Sequence, residues 1–576
     1  MVKMKVWAPK AQKVVLSIDG RFINLSEDNH GWWSVETSEI CHGTTYSFFV
    51  DDQGPFPDPR SPYQPKGVHG PSQWINHALF KWTDADWAQP SIDSAIIYEL
   101  HVGTFSPEGT FAAVIKRLDY LKDLGITHIE LMPVAEFPGK RGWGYDGVDL
   151  FAPHHDYGGP DALKHLVNAC HEKGLAVLLD VVYNHLGPDG NYLSCFGPYF
   201  TQHYKTPWGD AINFDGAYSD EIRRFFIDNA LMWLRDYHFD GLRIDAVHAI
   251  VDTSAIHFLE QLAAEVNALE AKLNKKFVLI AESDLNDPRL IRSVDLGGYG
   301  INAQWNEDFH HALHSLLTGE QQRYYVDFGK LGDLAKALAQ GFVYDGCYSR
   351  YRHRMHGRRL KNVSAHQLVG FIQNHDQIGN RAFGERVGHL LPQEKLKIAA
   401  ALVILSPFIP LLFQGEEWGV SSPFLYFCDH VDKKLQDAVY EGRKNEFKDF
   451  ANVSDKIPHP QAEETFLQSK LKWEELTEQK HAELLEWYRR LISLRRDHPD
   501  LRQESTEIDF NEEKLWLRMK RGSILLVCNF GEKAQSIPCQ SAVKYRLLLS
   551  SSNTIRYQDN FISIPSTAVA IFKITI

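Results

Sequence analysis

Between residues 95 and 415 the chain carries eight short apolar runs: AIIYELHVGTF, HIELMPV, AVLLDVV, FDGLRIDAV, KFVLIAE, GYGINAQW, LVGFIQ and PFIPLLFQG. A strand that is apolar at nearly every position must be covered on both faces, which is the habit of parallel sheets flanked by helices. Amphipathic stretches lie between the runs, among them FAAVIKRLDYLKDLGI, DALKHLVNACHEKGL and SDEIRRFFIDNALMWLRDYH, with apolar residues three and four apart. Eight such units predict a closed (β/α)₈ barrel. A doubly wound open sheet is the alternative, disfavoured because no glycine-rich phosphate loop follows the first run. The most apolar window, IAAALVILSPFIPLLF at 398–413, is broken by Ser406, Pro407 and Pro410. It is too short and interrupted for a membrane span and predicts a buried helix followed by a buried strand.

The flanks have a different period. VWAPKAQKVVLSI, GWWSVE and TTYSFFVDD are short aromatic and β-branched runs separated by Gly, Asn and Asp, and they predict a small all-β sandwich. DPRSPYQPKGVHGPS at 58–72 reads as a connecting segment. KLWLRM, SILLVCNF, YRLLLS and FISIPSTAVAIFKI predict a second sandwich at the other end. The expected division is 1–90, an all-β unit; 91–495, the barrel, with insertions near 306–366 and 420–480; and 496–576, all-β.

A net charge of −13 argues against nucleic acid or an anionic membrane as the main partner. Seven scattered cysteines with no CxxC pair suit a reducing compartment and argue against both a disulfide framework and a zinc site. The start, MVKMKVWAPKAQKVV, lacks the apolar core of a signal peptide, so a cytoplasmic location is expected.

Barrels of this type place their chemistry at the C-terminal ends of the strands. The third run ends in Asp180, with Asn184 and His185 beyond; the fourth in Arg243 and Asp245; the fifth in Glu282; the seventh is followed by Asn374, His375 and Asp376. Charges inside an apolar run are costly unless paired, and gathering like charges at one mouth is hard to explain by stability. A metal hydrolase would use oxygen and imidazole ligands, but HExxH and similar spacings are absent. Glycoside hydrolysis needs one ionised and one protonated carboxyl, and adjacent strands suit the separation of about 5–5.5 Å of a retaining mechanism. Arg243, two residues from Asp245, faces the same side of its strand and can hold Asp245 ionised. Neighbouring negative charge would raise Glu282.

DVVYNH, GLRIDAVHA, AESD and FIQNHD, in that order, resemble the four signature regions of the α-amylase superfamily of glycoside hydrolases, and GWGYDG at 142–147 resembles its tyrosine-bearing stretch. The resemblance covers nearly the whole chain. It implies Asp245 as nucleophile, Glu282 as general acid/base and Asp376 as the residue that favours ring distortion. It also implies that His185 and His375 touch the −1 sugar, Tyr145 lies beneath it, Arg243 positions Asp245, Asp180 supports the site and His248 lies near the +1 subsite. No cofactor is implied. Asn184 matches a calcium ligand of α-amylases, but partner ligands are not identifiable, so no metal is expected.

Within the superfamily, DPRSPYQPKGVHGPS, GLRIDAVHAI, IAESDLNDPRL, NHDQIGNRA and YDGCYSRYRHRMHGR resemble the maltooligosyltrehalose trehalohydrolase family. That implies hydrolysis, with retention, of the α-1,4 bond beside a terminal trehalose. The alternative is a glycogen branching enzyme, which typically has a serine where Asn374 stands and lacks a histidine at 248. Asp284, Gln377 and Arg381, with the 345–358 insertion, are the candidates for recognising the leaving trehalose. A non-catalytic binding protein on the same fold would have lost a catalytic carboxylate, and all three are present.

Overall fold

All eight apolar runs are strands, and they close into a barrel. In the computed structural model, which describes residues 1–28, 30–448, 456–502, 505–540 and 543–575, they are Ile97–Leu100, His128–Leu131, Ala176–Val181, Gly241–Ile244, Val278–Ala281, Ala303–Trp305, Leu368–Gly370 and Ile409–Phe413. Each neighbouring pair is parallel, and the eighth strand meets the first with Leu411 opposite Ile97. Ile97, Leu178, Ile280, Val369 and Leu411 form an apolar cluster of their own, apart from the larger core.

The helices follow the sequence period. Ser219–Asp236 buries Ile222, Phe225, Phe226, Ala230 and Trp233, with Asp220 and Glu221 in its first turn and Arg235 in its last, where the helix dipole favours each charge. The apolar window resolves into the helix Gln393–Leu405 and the eighth strand. One helix expected over 111–126 is instead two, Phe111–Ile115 and Leu118–Leu124. Arg117 between them leaves helical geometry and lays its guanidinium 4.2 Å from the centroid of the Trp473 ring, a tertiary contact that overrides local propensity.

At the N-terminus two antiparallel sheets enclose Val6, Leu16, Trp33 and Phe48. At the other end a five-stranded and a three-stranded sheet enclose Trp516, Val527, Ile537, Ile562 and Phe572. FISIPSTAVAIFKI splits into Phe561–Ile564 and Ala568–Thr575, turning at Thr567, whose φ is +47°. Arg60 ties the first sandwich region to the barrel helix through Asp228 at 2.7 Å. Glu512 accepts from the backbone N–H groups of Leu331 and Gly332, both at 2.9 Å, and joins the C-terminal region to the stretch after the sixth strand.

That stretch, 306–366, contains the helices Glu307–Thr318 and Leu331–Gln340 and a hairpin of Asp345–Ser349 with Arg354–Gly357. Residues 420–480 contain the helix Lys433–Glu446 and a shorter one, Glu463–Gln468; residues 449–455 of that expected insertion lie outside the described residues. Among the described residues no helix is long and apolar enough to cross a membrane.

Candidate active site

Arg243 organises the mouth of the barrel. Its Nη1 donates to both oxygens of Asp180, at 2.9 and 2.8 Å, and to Asp245 Oδ1 at 2.7 Å, while Nη2 stands 3.9 Å from Glu282 Oε2. The guanidinium is fully buried and lies 4.2 Å from the centroid of the Trp305 ring. Strand pairing sets Asp180 opposite Arg243 directly, so the pair is a product of barrel register. Asp245 is held from its other side by the Asn184 amide, which donates to Oδ2 at 2.8 Å and to the Asp245 carbonyl at 2.9 Å. Immediately after Asp245 the chain turns through Ala246 in a left-handed conformation (φ +40°, ψ 49°), and this aims the Ala246 N–H at Glu282 Oε2, 2.5 Å away.

The two carboxyls are biased in opposite directions. Burial disfavours charge on Asp245, but Arg243, His185 and the Asn184 amide outweigh it and hold the carboxyl below its ordinary value. Burial pushes Glu282 up to about 8, with Asp245 and Asp376 adding to the rise against the pull of Arg243. Loss of water therefore contributes more to raising Glu282 than the neighbouring charge expected from sequence. Burial likewise pushes Asp180 up to about 7, opposed by Arg243.

Tyr145 lies at the centre of a second chain of hydrogen bonds. Gly144 before it has φ +100°, and a Cβ there would stand 2.2 Å from the Pro133 carbonyl oxygen, so only glycine allows this approach. The Tyr145 hydroxyl donates to Asp180 Oδ2 at 2.5 Å and lies 2.8 Å from His375 Nε2, with the two rings stacked at 5.1 Å. A hydroxyl has one hydrogen; given to Asp180, it leaves the oxygen to accept from Nε2–H of His375. His375 Nδ1 faces Glu99 Oε1 in a short hydrogen bond, and the His375 N–H donates to Glu99 Oε2 at 3.2 Å. Both ring nitrogens thus face acceptors, the arrangement of an imidazolium. Burial would lower the His375 pKa, but Asp376 and Glu99 reverse this and raise it to about 9. Asn374 caps the short helix His375–Gly379 by accepting from the Gln377 N–H, which orients His375 and Asp376.

The other expected residues divide between two places. His185 stands 2.6 Å (Nδ1) from Asn184 Oδ1 and 3.1 Å (Nε2) from the Tyr145 carbonyl, and stacks on Trp208 at 4.5 Å. His248, Asp284 and Gln377 line a cleft of ≈ 250 Å³ together with Glu282 and Asp376. The 345–358 insertion reaches this cleft through Tyr351 and Arg352, and Arg352 donates to Asp284 Oδ2 at 2.6 Å. Arg381 is not on this wall. It donates to both oxygens of Glu320, at 3.0 and 2.9 Å, in a neighbouring pocket that shares Tyr324 and Asn380 with the cleft. The carboxylate of Glu320 thus takes both Nη groups of the guanidinium, while Nε lies 3.5 Å from Glu385 Oε2.

Several site residues escaped the sequence reading. Glu99 and Glu130 sit opposite one another in the first two strands, both buried, and neither oxygen of Glu130 has a hydrogen-bond partner. Burial, then the adjacent Glu99, pushes Glu130 well above its usual range, so it is the protonated member. The signal was available: a glutamate inside each of two apolar runs, as anomalous as Arg243 and Asp245. Glu307 lines the cleft and accepts from Gln377 Nε2 at 2.7 Å; burial, with Glu282 and Asp376 nearby, pushes it well above the ordinary carboxyl range. His311 and Tyr324 complete that wall, and nothing in their local sequence marks them.

Comparison with known proteins places this geometry among relatives. The family model described as "Alpha amylase, catalytic domain" matches residues 74–205. A malto-oligosyltrehalose trehalohydrolase of Mycobacterium tuberculosis is 45% identical over 100% of this chain and 99% of its own length. One from Saccharolobus solfataricus is 44% identical over 97% of this chain and 95% of its own. A 1,4-alpha-glucan branching enzyme of Pseudoalteromonas atlantica is 29% identical over 59% of this chain and 53% of its own. Among solved structures, a Salmonella typhimurium protein classed provisionally as an alpha amylase superposes with a TM-score of 0.90 at 38% identity, covering 100% of this chain and 97% of that one.

Proposed function

The chain belongs to the malto-oligosyltrehalose trehalohydrolase family, a glycosidase family of the alpha-amylase group, and on that premise we propose that it releases trehalose by cleaving the adjacent α-1,4 bond through a two-step retaining mechanism. The observation that carries the reading is the opposed bias of two carboxyls at one barrel mouth. Asp245 is kept ionised by Arg243, and Glu282 is kept protonated near neutral pH.

Asp245 attacks the anomeric carbon while Glu282 gives its proton to the leaving oxygen, which departs as trehalose. Glu282, now ionised, takes a proton from water, which attacks the glycosyl ester and frees Asp245. The Ala246 N–H is already directed at Glu282 Oε2, so the anionic form meets a donor the moment it is made. Asp376, at the rim of the cleft, binds sugar hydroxyls and favours the distorted ring. Tyr145, His185 and His375 hold the −1 sugar; Asp180 keeps Arg243 and Tyr145 in place. The leaving trehalose lies in the cleft past Glu282, against His248, Asp284, Arg352 and Gln377. The two carboxyls and water suffice for every step.

The test is to incubate the protein with maltooligosyltrehalose and, separately, with plain maltooligosaccharide and amylose. Rapid release of free trehalose, with Asp245→Ala inactive, is the expected result. New α-1,6 branches in amylose without trehalose release overturn the proposal.

A further inference from the structure

Outside the barrel mouth, one group of donors among the described residues has the composition and closeness of a metal site: Glu136, His154 and His155, whose ligating atoms all lie within 4.8 Å of one another. Glu136 and His154 are fully buried, and the His155 side chain is 20% exposed. His155 Nδ1 is 2.8 Å and His154 Nδ1 3.4 Å from the same oxygen, Glu136 Oε1; Glu136 Oε2 accepts from the His155 N–H at 2.8 Å. Neither ring nitrogen of His154 completes a hydrogen bond, although the residue is entirely shielded from solvent. Its ring is clamped against Phe137, with centroids 3.8 Å apart. A buried imidazole held this tightly, whose Nδ1 has only the 3.4 Å contact to Glu136 and no completed hydrogen bond, is placed to take an ion at that nitrogen.

We propose that Glu136, His154 and His155 bind a divalent transition-metal ion of the zinc type, and that the ion fastens the foot of the loop that carries Tyr145. Two imidazoles and one carboxylate favour such an ion over calcium or magnesium, which take oxygen sets. Donors around a tetrahedral ion with bonds of about 2.0–2.1 Å lie about 3.3 Å apart, so the His154–Glu136 spacing already matches and His155 has only to exchange its hydrogen bond for the metal. The partial exposure of His155 gives the ion its entry.

The position gives the site its purpose. Glu136 ends the strand Ala135–Glu136, paired with Asp149–Pro153, and His154 and His155 follow that second strand directly. The intervening residues 137–148 contain Trp143, Gly144 and Tyr145. An ion shared by Glu136 and the two histidines cross-links both ends of this loop. The cysteine spacing that argues against a zinc site does not bear on a set built from imidazole and carboxylate.

The test uses the full chain, stripped with a chelator and dialysed against zinc chloride. Bound zinc is measured by mass spectrometry, affinity by competition with a chromophoric chelator, and melting temperature with and without zinc. The expected result is a melting temperature raised by zinc and one tight ion per chain, lost in Glu136→Gln and weakened at least a hundredfold in His155→Asn. Glu136 is buried, so His155→Asn keeps the test valid if Glu136→Gln does not fold. The cobalt form should show a d–d absorption band that His155→Asn abolishes. Zinc retention and melting shift equal in the parent and His155→Asn chains, or no tight zinc in the parent, overturns the proposal.

Discussion

The backbone N–H of Ala246 donates to Oε2 of Glu282 at 2.5 Å, across two barrel strands, because Ala246 holds a left-handed conformation with φ +40°. An alanine there costs about 1–2 kcal/mol relative to the right-handed region. The residue thus spaces the two proposed catalytic carboxyls, with Asp245 on one side and the acceptor of its N–H on the other. Ala246→Gly should keep activity, since glycine adopts the turn freely. Ala246→Val, whose branched side chain resists it, should lower kcat about a hundredfold with KM little changed. Steady-state kinetics of the two variants decide it; equal activity would separate the turn from catalysis.

Glu282, at about 8 in the folded protein, sets an alkaline limit. Above that pH the acid is ionised and kcat/KM should fall. The stability sign follows from the same shift. The native state retains a proton that the unfolded state has released, so stability declines as pH rises from the ordinary carboxyl range through about 8. Glu282→Gln removes that decline. It should lower kcat by about 10²–10⁴-fold while melting higher than the parent at pH 8 and above, by calorimetry across pH.

Glu99 never reaches substrate in this reading; it acts through His375 as a positioning residue. With Glu99→Gln the His375 imidazolium loses its anionic partner and should deprotonate at lower pH than the value of about 9 in the parent. The charge on His375 contributes stability that is full below its unfolded value and lost as pH rises through the folded one. The variant should therefore shift the alkaline limb of kcat/KM downward and lose stability at neutral pH. A profile superimposable on the parent's would show that Glu99 has no such part.

Arg352 and Arg381 make opposite predictions for substrate choice. Arg352 lines the cleft and pins the hairpin tip to Asp284, while Arg381 is spent on Glu320 outside that wall. Arg352→Ala should reduce the preference for trehalose-ended over plain maltooligosaccharides by about tenfold, close to 1.4 kcal/mol. Arg381→Ala should change the ratio much less, its cost appearing in stability. Ratios of kcat/KM on the two substrates measure both.

The sequence by itself determined the barrel, because eight apolar runs with helical spacers leave few other ways to cover both faces of each strand. It also located Asp180, Arg243, Asp245, Glu282 and Asp376, since charges at the ends of such runs are too costly to be incidental. What it could not supply is orientation across the mouth. Glu99 and Glu130 are two residues in separate strands until register sets them side by side. Arg352 belongs to a polar hairpin until packing brings it to Asp284, and Arg381 looks equally placed until Glu320 takes it. The left-handed Ala246 has no local signature at all. Burial patterns are periodic along the chain and therefore readable from it; protonation states and contacts between distant loops depend on which groups share a water-excluded space, and only closure of the barrel decides that.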